Sequence, residues 1–504
     1  MIRSRPPILL VVPAALVAAA TLIPLVYLAD RALSRGLSAV IAEVLQPRTV
    51  ALVGRSLALV STVTAACVVL GVTMAVLLTR TDIAWRRLWA VALTLPLAMP
   101  SYLLAYLWVS AVPSIAGFWG ASLVLTLVSY PLVLLTTTAA LARVDPAQEE
   151  VARSLGRGGW SVLFAVTLRQ ARAAIAAGAL LVALYVLSDF GAVAAMRYEA
   201  FTWVIYGAYR SGFNPSRAAV LSLVLLVFAV ALVVAEHAVR GRAAARVGSG
   251  APRPAPRNRL GPWQAAALLL PVVVLAAAVV VPAVTLLDWL TAAGPRWLPG
   301  QWLAALGSTL WLSAAAALVS IAAALPLGVL AARHRDRATR ALESISYVAH
   351  GLPAIVIAIS MVSLGVLAAR PIYQREPLLI LAYAVLFVPL AIGSVRAAVE
   401  AAPVRLEEVA RSLGRPPARA FAAVTARVAL PGIAAGGAMV LLTCMKELPV
   451  TLLLHPTGTD TLATRLWGYS SVSDYAAAAP YAAALLLFAA IPTAVLGAAS
   501  VADD

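Results

Sequence analysis

The sequence predicts an all-α, polytopic membrane protein with about twelve transmembrane helices, arranged as two parallel six-helix repeats. Two observations predict this class. First, 62% of the 504 residues are hydrophobic and only 12% are charged, a composition that excludes a soluble globular domain. Second, a long polar segment occurs twice in an otherwise apolar chain, 258 positions apart.

The repeated segment spans residues 149–178 and 407–436. The copies are identical at eighteen of thirty positions without a gap, including the whole run EEVARSLGR. Chance would give only about three or four identities in a segment of this composition. Because both copies are Arg-rich, each is expected to be a cytoplasmic loop between membrane spans. The chain is therefore interpreted as a tandem duplication.

Apolar stretches of about 20 residues, enough to cross a bilayer as a helix, occur six times in each half. The predicted spans lie near residues 8–29, 52–78, 88–110, 120–142, 173–192 and 217–238, and then near 263–287, 305–330, 344–368, 377–398, 432–454 and 479–501. The first of these is too long for the apolar region of a signal peptide, and we expect it to be the first span. Since each half has an even number of spans, both halves enter the membrane in the same direction and are parallel repeats.

The distribution of arginine predicts the orientation. Most of the arginine clusters fall on one side of this layout, which is the cytoplasmic side by the positive-inside rule. These are Arg3 and Arg5, Arg80, Arg86 and Arg87, the repeated loop, Arg240 to Arg259, and Arg333, Arg335, Arg337 and Arg340. Both termini are therefore expected inside the cell, with the chain in the inner (cytoplasmic) membrane. This topology accounts for the net charge of +17, so the charge is no reason to expect a nucleic-acid partner.

The predicted domain organisation follows from the duplication. Residues 1–240 form a first transmembrane domain with its loop at 143–172, and residues 263–504 form a second with its loop at 399–431. Residues 241–262, which are rich in Pro, Gly, Arg and Ala, are expected to be a flexible cytoplasmic linker.

Several chemistries are not expected of this chain. Lys446 is the only lysine and follows Met445, so the sequence has no phosphate-binding loop of the G-x-x-x-x-G-K-[ST] type. The two cysteines, Cys67 and Cys444, give no disulfide framework. The four histidines show no metal-ligand spacing. We therefore predict no catalytic residue, no metal site and no cofactor bound by this chain.

The repeated loop has a recognisable signature. Glu150-Val-Ala152-x-x-x-Gly156 and its second copy, Glu408-Val-Ala410-x-x-x-Gly414, resemble the E-A-A-x-x-x-G motif of binding-protein-dependent ABC importer permeases. Two such domains fused head to tail resemble the iron(III) permease family. Three local stretches also resemble that family: residues 187–191, 445–454 and 460–465. One departure is that the family's Leu-Pro after the loop is Leu168-Arg169 in the first copy and Ala426-Arg427 in the second.

The resemblance implies a transporter subunit that has no ATPase activity of its own. Its partners would be an ABC ATPase dimer, which uses ATP and Mg, and an extracytoplasmic binding protein that delivers iron(III). Thiamine, polyamine, phosphonate or sulfate are alternative cargoes within the same class. An autonomous secondary transporter is the alternative class, although it has no use for twin docking loops.

Each loop is expected to carry a short helix that docks on the ATPase and transmits rigid-body motion. The residues assigned to this coupling are Glu149, Glu150, Ala152, Gly156, Glu407, Glu408, Ala410 and Gly414. Acidic residues at the start of a helix favour its dipole, and each glycine suits the left-handed turn that ends it. The alternative is a solvated basic loop without a partner.

Three charged residues, Asp189, Lys446 and Glu447, are expected within or at the outer ends of spans, where ionisable groups are costly. We predict that all three lie on a translocation path, where Asp189 and Glu447, which share the 258-residue offset, would ease the passage of a cation. The alternative is an ion pair between Lys446 and an acidic residue, which would hold the halves together. Tryptophans near span ends, such as Trp289, Trp297 and Trp302, are interpreted as interfacial anchors.

Overall fold

The computed structural model describes residues 7–34, 36–142, 144–210, 214–244, 257–293, 298–334, 336–348 and 352–502. Within these ranges the chain consists of helices joined by turns and loops, with one isolated two-residue backbone pairing between Thr81 and Asn258. The predicted all-α class is confirmed. Most of the predicted linker, residues 245–256, lies outside the described residues, as does Trp297.

The first half contains helices α1 (Ile8–Leu33), α2 (Leu37–Val44), α3 (Pro47–Arg80), α4 (Arg86–Thr94), α5 (Ser101–Ala111), α6 (Phe118–Leu141), α7 (Pro146–Ser154), α8 (Gly159–Val162), α9 (Leu168–Ser188), α10 (Gly191–Ala195), α11 (Phe201–Arg210) and α12 (Pro215–Ala244). A π-helical turn, Leu163–Thr167, joins α8 to α9.

The second half contains α13 (Gln264–Leu275), α14 (Val281–Ala293), α15 (Pro299–Arg333), α16 (Arg337–Val348), α17 (Ala354–Leu367), α18 (Glu376–Ala401), α19 (Val404–Ser412), α20 (Pro417–Ala423), α21 (Thr425–Met445), α22 (Pro449–Leu454), α23 (Leu462–Ser471) and α24 (Tyr475–Ala502). A π-helical turn, Ala276–Val280, joins α13 to α14. Short 3-10 turns lie at Leu95–Ala98, Pro113–Ile115, Gly261–Trp263 and Arg370–Ile372.

The helices match the predicted apolar segments. Among the described residues, nine helices are long and apolar enough to cross a membrane, and a bent pair, Arg86–Ala98 with Ser101–Ala111, makes a tenth. The shorter apolar helix Ala354–Leu367 and the part of α24 from Tyr475 to Phe488 overlap the two remaining predicted segments. The polytopic class is therefore confirmed.

The predicted span near 88–110 is not one straight helix. Its two parts meet at an angle of 92°, and the break falls at Met99 and Pro100, which are both extended, with ψ near 131° and 132°. Proline has no N–H to donate and forces the preceding residue out of the helical region. Pro100 therefore ends the first part, and α5 begins directly after it.

The described chain divides into two compact units that do not follow the two sequence halves. One unit comprises Met1–Glu43, Ile205–Leu226 and Leu298–Arg465, and the other comprises Val44–Val204, Val227–Trp297 and Leu466–Asp504. In the former, α1 packs against α15, α16 and α17, and in the latter, α14 packs against α5 and α24. The first span of each half thus belongs to the unit built around the core of the other half.

Each unit has a core of three long helices from one repeat. These are α3, α6 and α9 in one unit, and α15, α18 and α21 in the other. Glycine brings two of the three close together: a Cβ at Gly178 in α9 would overlap Thr136 of α6, and a Cβ at Gly436 in α21 would overlap Ser394 of α18. These pairs occupy equivalent positions, and small residues are what allow helix backbones to approach closely in membranes.

Trp289 does not have the environment predicted for an interfacial anchor. It is only 4% exposed, its ring stacks on Tyr475 with centroids 4.7 Å apart, and its indole N–H donates to Ser110 at 3.1 Å. Trp289 therefore joins α14 to α5 and α24, because an indole buried among apolar helices needs a partner for its N–H.

Candidate functional site

The first repeated loop carries a short surface helix, α7. Asp145 caps its start by accepting a 3.0 Å hydrogen bond from the N–H of Ala147, and Pro146 occupies the first helical position, where a missing N–H costs nothing. The second copy, α19, starts after Pro403 without a side-chain cap. Each helix has a glutamate in its first turn and an arginine in its last turn, the arrangement that the helix dipole favours.

Both surface helices end at a glycine in the left-handed conformation, as predicted. Gly156 has φ +79° and Gly414 has φ +85°. The N–H of Arg157 donates to the carbonyl of Ala152 at 3.1 Å, and that of Gly156 donates to Arg153 at 2.9 Å; the second copy repeats both bonds. This paired pattern satisfies the last carbonyls of the helix and requires a positive φ at the glycine.

Glu149 is the most tightly held residue of α7. Its carboxylate is buried and lies 3.1 Å from Nη2 of Arg80 at the end of α3. Thr167 donates its hydroxyl to the same carboxylate at 2.8 Å, whereas Arg153 on α7 itself is 3.8 Å away. Arg80 also donates to the carbonyl of Leu141, the last residue of α6, at 3.3 Å. Glu149 therefore holds the surface helix directly to α3 and to the π-helical turn, and through Arg80 to the end of α6.

Glu407 has the same kinds of partner in α19. Thr425 donates to it at 2.8 Å, and Arg333, the last residue of α15, lies 3.6 Å away. Arg333 also donates to the carbonyl of Ala402 at 3.4 Å. The order of the arginines is reversed, however, because Arg411 on α19 itself lies closest, at 3.1 Å.

The predicted coupling residues thus fall into two groups. Glu149, Ala152, Glu407 and Ala410 are buried against the membrane helices, while Glu150, Gly156, Glu408 and Gly414 are exposed. The exposed face of each surface helix also has two large apolar side chains: Val151 and Leu155 in the first copy, 58% and 76% exposed, and Val409 and Leu413 in the second, 54% and 78% exposed. Apolar side chains presented at matching positions are typical of a docking surface.

Sequence reasoning missed Arg80, Arg333, Thr167 and Thr425. The threonines lie inside the repeated segment at the 258-residue offset, so they were visible there as identical polar residues close to a span. The arginines are 253 positions apart, since the second half has five more residues between the end of its helix and its loop. Comparison at a fixed offset could not pair them; an alignment that allows this insertion would.

The loops also differ beyond the surface helix. In the first copy, Trp160 and Phe164 are exposed, and their rings are stacked with centroids 6.3 Å apart. The equivalent residues of the second copy are Ala418 and Ala422. The two loops therefore share one apolar face, but only the first has an additional aromatic pair.

Asp189 caps the short helix α10. Its Oδ1 accepts from the N–H of Ala192 at 2.8 Å, its other oxygen accepts from the hydroxyl of Ser101, and its backbone carbonyl accepts from Thr202 at 2.6 Å. A carboxylate that satisfies the free N–H groups of a helix start acts as an N-cap. Both carboxylate oxygens of this buried residue are thus occupied within its own unit.

Glu447 occupies the equivalent position before α22. Its two carboxylate oxygens accept from the N–H of Val450 at 3.0 Å and of Thr451 at 3.1 Å. The Thr451 hydroxyl also bonds the carboxylate, at 3.0 Å, and lies 2.6 Å from that of Tyr383. Lys446 is partly buried at the end of α21. The shared capping geometry explains why both repeats have an acid here; a place on a translocation path stays a prediction.

Repeated apolar helices and anchored surface helices define a membrane transport subunit. The chain belongs to the family of binding-protein-dependent transport system inner membrane components, which it matches over residues 67–240 and 324–501. One match falls in each half of the sequence, so the chain contains the family's domain twice.

Individual relatives differ in how much of the chain they cover. The chain is 34% identical over 493 residues to an Fe(3+)-transport system permease protein of Haemophilus influenzae, covering 97% of each. It is 31% identical over 150 residues to a molybdate/tungstate transport system permease protein of Pyrococcus abyssi, covering 30% of this chain and 59% of the relative. A chloroplastic sulfate permease of Chlamydomonas reinhardtii is 28% identical over 159 residues, covering 30% of this chain and 43% of that protein.

Proposed function

We propose that this chain is the membrane permease subunit of an ATP-driven importer, with its two surface helices docked on a dimer of ABC ATPase subunits. The observation that carries this proposal is the repeated geometry of α7 and α19. Each ends in the same glycine turn, is tied to its own unit through a buried glutamate, and presents two apolar side chains outward. Two matching docking elements on one chain fit a partner with two matching subunits.

The proposed orientation of the chain in the membrane is based on the distribution of arginine. We place the loops, and with them both termini, on the cytoplasmic side of the cytoplasmic membrane, because arginine is concentrated on that side of the span order. ATP and Mg would then be bound by the ATPase, while this chain binds no cofactor. An extracytoplasmic binding protein would deliver the cargo to the opposite side.

Iron(III) is the proposed cargo. The support is the extent of the similarity: the iron-transport relative is matched over 97% of both chains, whereas the molybdate/tungstate and sulfate relatives are matched over 30% of this chain. Over almost its whole length, including both of its domains, the chain is therefore similar to a permease whose name specifies iron. Molybdate and sulfate remain the alternatives for the test below.

Uptake into proteoliposomes tests both parts of the proposal. The chain is reconstituted with its ATPase and binding protein, and entry of radioactive iron(III), molybdate and sulfate is measured with and without enclosed ATP. We expect iron uptake only with ATP and with both partners present. Uptake by the chain alone, driven by an imposed proton or sodium gradient, would contradict the importer mechanism, and ATP-dependent uptake of molybdate or sulfate instead of iron would contradict only the cargo.

A further inference from the structure

Two arginines outside the repeated loop occupy the position at which a docking helix is joined to the membrane domain. Arg80 is the last residue of α3, and Arg333 is the last residue of α15. Both helices are among the long spans of the described chain. A cation at the C-terminus of a helix is favoured by the helix dipole, but this alone does not require burial, and Arg80 is only 4% exposed.

The burial of Arg80 is explained by what its guanidinium group joins. Three chain segments converge on it: its own span α3, the end of α6 through the Leu141 carbonyl, and the surface helix α7 through Glu149. Thr167, just before α9, completes the arrangement by donating to Glu149. The planar, multidentate guanidinium suits such bridging better than an ammonium group.

We infer that Arg80 and Arg333 are positioning residues, which make each surface helix move as one body with the spans around it. This inference rests on the proposed docking of the ATPase. Removing one partner of a buried ion pair leaves the other charge uncompensated, so the surface helix cannot move away from the end of the span without breaking a costly contact. A displacement of the surface helix by the ATPase is therefore passed on to α3 or α15.

The two positions are not equivalent. Glu149 lies closer to Arg80 of the span, at 3.1 Å, than to Arg153 of its own helix, at 3.8 Å. Glu407 shows the opposite order, with Arg411 of its own helix at 3.1 Å and Arg333 of the span at 3.6 Å. The glutamate of the first surface helix is thus paired mainly with an arginine of a membrane span. The glutamate of the second is paired partly with an arginine of its own helix.

The end of the linker adds to this difference. Asn258 donates its N–H to the Arg80 carbonyl at 2.8 Å and accepts from the N–H of Asp82 at 3.3 Å, while the Asp82 carboxylate accepts from the N–H of Leu260 at 2.8 Å. These hydrogen bonds hold the segment that follows Arg80 to the end of the linker. We accordingly assign the stiffer connection to Arg80 and the looser one to Arg333.

Spin labels at the ends of the surface helices test this assignment. Both native cysteines, Cys67 and Cys444, are buried, so Cys67→Ser with Cys444→Ala gives a background for single labels at exposed Ser154 or Ser412. We expect Arg80→Gln to convert the label at position 154 from an immobile to a mobile spectrum. Arg333→Gln should change the label at position 412 less, and Arg80→Lys should restore part of the immobile signal.

Transport by the complete complex gives the second measurement. With Arg80→Gln, iron(III) imported per ATP hydrolysed should fall about tenfold, while ATP hydrolysis continues. Arg87→Gln removes an exposed arginine from the same region and should change neither measurement. If Arg80→Gln fails to accumulate, Glu149→Gln replaces it, because the amide keeps one acceptor oxygen for Thr167.

The possible outcomes separate this inference from the proposed function. An immobile label at position 154 in Arg80→Gln, or an unchanged ratio of iron to ATP, would overturn the positioning role. A wild-type complex that fails to bind the ATPase would instead overturn the proposed function, and the label mobility would still report whether Arg80 holds the helix.

Discussion

Thr167 donates its hydroxyl to Glu149 across eighteen residues of chain, at 2.8 Å. The bond joins the first turn of the surface helix to the end of the π-helical turn that leads into the next span. Thr425 and Glu407 make the same contact, at the same distance, in the second copy. The duplication has therefore preserved a side-chain contact and not only a loop sequence, which makes the contact a suitable target for substitution.

We predict that Thr167→Val destabilises the protein by about 1–3 kcal/mol, because Val keeps the shape but leaves a buried carboxylate with one bond fewer. Thermal unfolding of the purified chain in detergent measures this effect. Thr79→Val is the matched control, since that hydroxyl donates to the Ala75 carbonyl of its own helix. Equal stability of the two variants would show that the bond to Glu149 contributes nothing specific.

The glycine that ends each surface helix is expected to matter for transport and not for membrane insertion. A leucine at Gly156 or Gly414 must adopt a positive φ at a cost of roughly 1–2 kcal/mol, although no described residue beyond the two chain neighbours comes within 4 Å of either added Cβ. Uptake should fall with Gly156→Leu and with Gly414→Leu, while the protein level stays near normal.

Two further variants identify the cause. Gly156→Asn should retain much of the uptake, because Asn tolerates the left-handed region. Gly159→Leu should have little effect, since Gly159 is exposed in open space and lacks the positive φ. If Gly156→Leu transported at the wild-type rate, the turn would not be needed to aim the surface helix.

Asp189 and Glu447 each cap a helix, and substitutions can separate the effect of their charge from the effect of the cap. Asp189→Asn keeps an oxygen for the N–H of Ala192, and Asn caps a helix about as well as Asp. Asp189→Ala removes the cap and should cost about 0.5–2 kcal/mol, seen as a lower protein level. Asp189→Asn should therefore accumulate normally but import iron(III) more slowly, as predicted if these carboxylates favour a cation. Unchanged uptake would leave helix capping as their role.

The close approach of the helices at Gly178 and Gly436 predicts that neither position tolerates a larger side chain. Gly178→Ala should destabilise the chain by about 1–3 kcal/mol, because the added methyl group has no room against Thr136. Gly436→Ala should behave alike, since it meets Ser394. Gly54→Ala, in the span α3 with nothing within 4 Å, is the control and should be neutral or slightly stabilising. Similar unfolding midpoints for Gly178→Ala and Gly54→Ala would refute the crossing.

Much of the fold could be predicted from the sequence, because long apolar segments and a gapless repeat can both be recognised without a structure. The sequence predicted the helices, the surface loops and the left-handed glycines. It did not reveal that α1 packs against α15 or that α14 packs against α5, since no local pattern specifies which half a span joins. The contact between Arg80 and Glu149 was hidden for a similar reason: the partners are 69 residues apart, and an insertion displaces the second pair. Trp289 shows the limit for single residues, because its position near a span end could not indicate burial.

Native mass spectrometry of the purified transporter tests whether each surface helix binds one ATPase subunit. The complex is released from detergent intact, and its mass gives the number of ATPase subunits for each copy of this chain. We predict two for the wild-type chain, and fewer when Leu155→Asp and Leu413→Asp place charge on the apolar faces of α7 and α19. A wild-type complex with no ATPase subunit, or with two that remain bound in the double variant, would contradict it.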